Sequence, residues 1–161
     1  MTDNDKDTAK AEDFALETFL PYRLSLLSNT VSEGIAIAYR DVHGLSVTEW
    51  RVLAILGRFP GLTATDVMRR AAMDKVAVSR AVGRLDDKGL VGRTAQAEDR
   101  RRVALKLTAR GVRLFNAVVP EALAYERTLL EALSPEEREQ LDELLDKLLD
   151  TARALESTEQ N

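Results

Sequence analysis

The sharpest chemical signal in this 161-residue chain lies in the run DKVAVSRAVGRLDDK, residues 74–88. Lys75, Ser79, Arg80 and Arg84 are spaced so that a helix would gather them opposite Val78, Ala81, Val82 and Leu85. The latter four recur at i, i+3, i+4 and i+7, one apolar helical stripe. Lys88 extends the basic side, and the small Ala77 and Gly83 keep it low in bulk. Asp74 can start the helix, because its carboxylate can accept a first-turn backbone N–H. A cationic, donor-rich helix without bulk fits the major groove of DNA, where Arg and Lys reach phosphates or guanine edges. Taken alone, a basic helix reads more readily as a solvated surface. The flanking sequence decides between the two.

A second basic cluster, Arg100, Arg101 and Arg102, follows closely. Arg100 and Arg101 end the polar run AQAEDRR, and Arg102 begins the apolar stretch after it. Residues 102–108 alternate Val103, Leu105 and Leu107 with Ala104 and Lys106, a half-buried strand, and residues 90–94 are its partner candidate. The run between them is then a hairpin tip. As a group Arg100, Arg101 and Arg102 are DNA-contact candidates, although hairpin alternation turns at least one of them away.

Two capping boxes place the elements that must position these clusters. Ser46-x-x-Glu49 opens a nearly all-apolar helix over 47–56, central and buried, ended by Phe59-Pro60-Gly61. Thr63-x-x-Asp66 opens a short helix ending near residue 73. A short helix, a tight turn and a basic helix make a helix-turn-helix. With the hairpin directly after it, the arrangement is a winged helix.

The flanks are helical too. Leu20, Leu24, Leu27, Val31, Ile35, Ala38 and Val42 step by three and four, which predicts one long helix over 19–44 stopped by Gly44. Thr108 caps a helix to about 133, kinked at Pro120. Ser134-Pro135-Glu136-Glu137 starts a last helix whose leucines, from Leu141 to Leu155, share a face. These apolar seams exceed what a winged helix can cover, and a second copy of the chain is the simplest occupant. The expected fold is therefore mainly α: a winged helix-turn-helix with a small β-hairpin wing plus N- and C-terminal dimerisation helices. Its segments are a loosely ordered 1–18, a dimerisation helix over 19–44, the DNA-binding domain over 45–108, and dimerisation helices over 109–156.

Composition narrows the function. The net charge is −4, yet residues 63–113 hold 13 Lys/Arg against 6 Asp/Glu, a balance of +7; the remainder balances to −11. A basic middle between acidic ends suits a polyanion-binding patch on a self-repelling body. There is no cysteine and one histidine, His43, so thiolate chemistry is excluded and a histidine metal cluster has little to draw on. His43 reads as a charge near a helix end rather than a ligand. Adjacent acids such as Asp86-Asp87 diverge on a helix, and no glycine-rich phosphate loop is present. Nothing here predicts an enzyme or a cofactor. The polar N-terminus lacks a signal-peptide core, and no apolar run approaches the ~20 residues of a membrane span. A cytoplasmic protein without membrane contact is expected.

With these elements in place, the sequence resembles the MarR-type winged-helix transcriptional regulators. The likeness is sharpest in EDRRRVALKLTARG, where Asp99, Arg101, Leu107, Thr108 and Gly111 fit D-x-R-x5-L-T-x2-G without a gap. LSVTEWRVLAIL and VSRAVGRLDDKGLV also look like the family's second and recognition helices. The resemblance implies that Arg101 is the wing-tip arginine entering the minor groove, held by a salt bridge from Asp99. It further implies a homodimer on a pseudo-palindromic double-stranded operator, usually repressing, with an effector pocket between the dimerisation helices and the DNA-binding lobe. Lacking cysteine and a histidine cluster, the chain is left with a small organic effector or none. FLPYRLSLLSN resembles members responsive to aromatic acids or their CoA thioesters.

Five residues are candidates for that pocket. Tyr22, Arg23, Tyr39 and Arg40 could bind an aromatic anion, or be ordinary amphipathic boundary residues. Trp50 reads first as core and second as pocket lining. Against the ligand-responsive repressor stands a non-specific architectural protein using the same winged helix for backbone contacts alone.

Overall fold

The computed structural model describes residues 14–95 and 103–158. A short turn precedes the first long helix. Leu16–Thr18 form a 3-10 turn, and the rings of Phe14 and Phe19 meet edge-on at 5.1 Å. Helix α1 (Leu20–Ala36) then starts with Pro21 in its first turn, where the missing N–H costs nothing.

The single helix expected over 19–44 is broken. After α1 the chain tightens, with Ala38 N–H bonding Ile35 O at 3.0 Å and Tyr39 N–H bonding Ala36 O at 3.2 Å. A one-turn helix α2 (Arg40–His43) follows, stopped by Gly44 at φ +62°. The turn carries Tyr39 fully into the core, and it leaves Val42 74% exposed, so the apolar seam does not continue to Val42. Burying so large a ring outweighs an unbroken helical ladder.

Both predicted capping boxes form. Ser46 Oγ accepts Glu49 N–H at 3.2 Å and Ser46 N–H donates to Glu49 Oε2 at 2.8 Å, opening α3 (Val47–Arg58). Thr63 and Asp66 exchange the same pair of bonds at the start of α4 (Ala64–Ala71). Ala72, at φ +50°, reverses the chain, and Asp74 Oδ1 accepts Ala77 N–H at 2.9 Å to start α5 (Lys75–Asp87). Helix α5 packs on α3 and α4 through Val78, Ala81, Val82 and Leu85, all buried.

Gly89, at φ +65°, ends α5 by letting Gly89 N–H reach Asp86 O and Leu90 N–H reach Leu85 O, each at 2.8 Å. Strands β1 (Val91–Ala95) and β2 (Val103–Leu107) pair antiparallel, with Val91 opposite Leu107 and Ala95 opposite Val103. Leu62 adds a single bridge to Leu105, which fastens the α3–α4 link to the sheet.

Thr108 joins wing and helix. Its hydroxyl donates to Gly89 O at 2.7 Å and accepts Gly111 N–H at 3.1 Å, capping α6 (Ala109–Leu130). A Cβ on Gly111 would stand 2.1 Å from the Leu90 carbonyl oxygen, so the position admits only glycine.

The chain divides into two compact units, 1–115 and 116–161, with Pro120 inside α6. The second unit contains α7 (Pro135–Thr158), started by Ser134 N–H to Glu137 Oε2 at 2.8 Å. Its leucines Leu144, Leu145, Leu148 and Leu149 are 43–57% exposed; in the first unit Phe19, Leu20, Leu24 and Leu27 of the α1 region are exposed as well. Among the described residues no helix is long and apolar enough to cross a membrane.

Candidate nucleic-acid interface

The sequence-predicted residues of α5 lie on its solvent-facing side. Lys75, Ser79, Arg80 and Arg84 are all exposed, while the opposite stripe is buried. Positions 76, 79, 80 and 83 recur at i, i+3, i+4 and i+7, so Val76, Ser79, Arg80 and Gly83 make the outward pole, with Arg84 flanking it. A Cβ on Gly83 would meet nothing within 4 Å, so the pole is open and low there. Val76, 57% exposed, was absent from the sequence-based set of contacts. Its apolar type gave no reason to include it, and helical phase places it on the exposed pole.

Lys88 does not belong to this face. It turns inward, and its ammonium donates to Gly44 O at 2.7 Å and to Glu49 Oε2 at 3.0 Å. Lys88 lies three residues after Leu85 and therefore on the packed side. Glu49 is 2% exposed. Burial pushes its carboxyl up, but the Ser46 N–H and the Lys88 ammonium outweigh that and hold it below the usual carboxylate range. One buried carboxylate thus ties the end of α5 to the start of α3. A second tie runs to the wing, from Arg93 of β1 to Asp86 Oδ2 at 2.9 Å, and Arg110 donates to Lys88 O at 3.1 Å. Together these fix the direction of α5 against α3 and β1.

The wing-tip set Asp99, Arg100, Arg101 and Arg102 lies outside the described residues.

The five effector-pocket candidates divide. The helical run from Tyr22 to Ala36 alone spans about 21 Å at 1.5 Å per residue, so Tyr22 and Arg23 stand at the far end of α1 from Tyr39. Both are exposed. Tyr39 and Trp50 come together, stacked at 5.4 Å between centroids, and Phe115 continues the stack at 6.3 Å from Trp50. Arg40 is near but its guanidinium pairs with Glu33. Among the described residues the buried Tyr39 hydroxyl finds no hydrogen-bond partner. Burial, reinforced by Glu33 and opposed by Arg40 and Arg51, pushes its pKa up to about 12. Arg51 was not foreseen; it reaches Ser32 Oγ at 3.3 Å from the same side. Only the break after α1, invisible in the periodicity, brings it beside Tyr39.

Comparison with known proteins agrees with this geometry. The MarR family model matches residues 43–102. The homoprotocatechuate degradative operon repressor of Escherichia coli is 26% identical over 107 residues, 66% of this chain and 72% of its own. A MarR/EmrR family transcriptional regulator from Acinetobacter sp. ADP1 superposes with a TM-score of 0.80 at 28% identity, covering 88% of this chain and 99% of its own. Staphylococcus aureus MepR, solved as a DNA complex, gives 0.73 at 27% identity over 83% of this chain and 98% of its own. Helix-turn-helix, hairpin wing, family model and structural neighbours converge: together they support a MarR-family winged-helix transcriptional regulator.

Proposed function

We propose that the protein is a homodimeric repressor that reads a pseudo-palindromic operator and is released by a small organic effector. The observation that carries the DNA-reading part is the outward pole of α5: every predicted contact on it is exposed, and every apolar residue of the opposite stripe is buried. MepR, with the same fold, is known bound to DNA. Dimerisation rests on the exposed apolar faces of α1 and α7, which a lone chain would leave in water. Two copies would set their recognition helices about 34 Å apart, one turn of DNA. Arg101 would enter the minor groove from the wing, with Asp99 bracing it.

The effector site is proposed beside Tyr39, Trp50 and Arg51. An unpaired buried hydroxyl costs about 1–3 kcal/mol, which a ligand oxygen would recover. The aromatic stack and two nearby arginines suit an aromatic acid, and a relative represses a homoprotocatechuate operon. A coupling of about 1–3 kcal/mol between the sites would change DNA affinity about 5–150-fold.

Binding of a labelled site selected from random duplex tests the reading. Affinity is expected to fall steeply with salt and to be much tighter than on random DNA. Equal affinity for both would favour the architectural alternative. Sedimentation of a chain cut after Ser134 as a stable dimer would contradict the role given to α7. An aromatic acid that raises the melting temperature and weakens operator binding is the expected effector.

A further inference from the structure

We infer that Val76 is a base-specificity residue, reading the C5-methyl of a thymine in each operator half-site. This inference rests on the DNA-reading function proposed above and adds a base preference that no basic residue of α5 can supply. Val76 is the second residue of α5, and it is the first turn of a recognition helix that enters the groove most deeply. Its side chain is 57% exposed, whereas Val78, Ala81, Val82 and Leu85 of the same helix are at most 4% exposed. Packing therefore does not account for a valine there. Helix propensity does not either, because a β-branched residue is a weaker helix former than alanine.

Its neighbours define what it meets. Ser79 and Arg80 follow at i+3 and i+4 on the same stripe, and Gly83 at i+7 lets the helix approach closely. A branched apolar group on an otherwise polar, cationic face has one apolar partner in the major groove, the thymine methyl. Four helical residues rise about 6 Å and DNA rises about 3.4 Å per base, so the thymine lies within about two steps of the base facing Arg80.

The test uses the full-length protein. Selection from random duplex first yields its site; failure to enrich any site would overturn DNA reading itself, and this inference with it. Each thymine of the site is then replaced in turn by deoxyuridine, which removes only the methyl. Affinity is measured for wild type and Val76→Ala at one salt concentration. Wild type is expected to lose about fourfold per half-site at one thymine, the worth of one buried methyl-sized group. Val76→Ala should be weakened on the thymine site and indifferent to that replacement. Alanine is the better helix former, so the variant folds. Wild type tolerating deoxyuridine at every position would overturn the inference. So would a penalty in Val76→Ala equal to that in wild type.

Discussion

Lys88, the residue that closes the recognition helix, places its ammonium 3.0 Å from the buried carboxylate of Glu49 at the start of α3. A basic residue at the end of α5 is thereby spent on holding the helix. Breaking a fully buried pair from one side costs about 3–5 kcal/mol. The Lys88 side chain is 35% exposed, so Lys88→Met should cost less, about 2 kcal/mol. Urea unfolding measures this. The salt dependence of DNA binding should keep its slope in the variant; a slope reduced by about one would mean that Lys88 contacts phosphate instead.

The same pair sets an acid limit. The Glu49 carboxyl titrates below its ordinary value in the fold, so the unfolded chain binds its proton first as pH drops. The stability it contributes is full above the unfolded pKa near 4.3 and is lost as pH falls through the lower folded value. Glu49→Gln should be less stable at pH 7, and its disadvantage should shrink as pH falls below about 4.5. A disadvantage constant across that window would contradict the pairing.

Tyr39→Phe removes an oxygen that none of the described residues satisfies. The variant should be as stable as wild type or up to about 1 kcal/mol more stable. The alkaline limb should change as well. With a folded pKa of about 12 against about 10 unfolded, Tyr39 contributes stability that is full below pH 10 and lost as pH rises toward 12. That loss should be reduced in the variant. Effector binding should weaken; unchanged ligand affinity would move the pocket away from Tyr39.

Gly83 separates stability from function. Alanine there meets open space and gains about 0.5–1 kcal/mol of helix stability, a rise of about 2 °C in melting temperature. If the outward pole of α5 lies close against DNA, the added methyl must also weaken operator binding. A variant that is stabilised and binds as well as wild type would place this part of α5 away from the groove.

Much of this was readable in the sequence where local rules and tertiary packing agree. Ser46/Glu49, Thr63/Asp66 and Asp74 mark their helix starts because a side-chain cap needs only near neighbours. The recognition face followed from phase. The motif glycine Gly111 acquired its reason only in three dimensions, from a Leu90 carbonyl 21 residues earlier in the chain. The break between α1 and α2 was not readable, since Ala38 and Val42 continue the helical period perfectly well. What ends the helix is the burial of Tyr39 against Trp50, a contact 11 residues away. Lys88 misled for a related reason: its charge resembles that of Arg80 and Arg84, and only Glu49 across the core shows where it turns.

The most direct test compares Arg80→Ala and Arg84→Ala on the selected operator and on random duplex at one salt concentration. An Arg bidentate to guanine discriminates by about 1–3 kcal/mol, whereas one on phosphate adds affinity without discrimination. At least one of the two variants is expected to lose about 5–100-fold more affinity for the operator than for random DNA. Equal losses on the two duplexes, for both variants, would contradict sequence reading by α5 and leave a backbone clamp in its place.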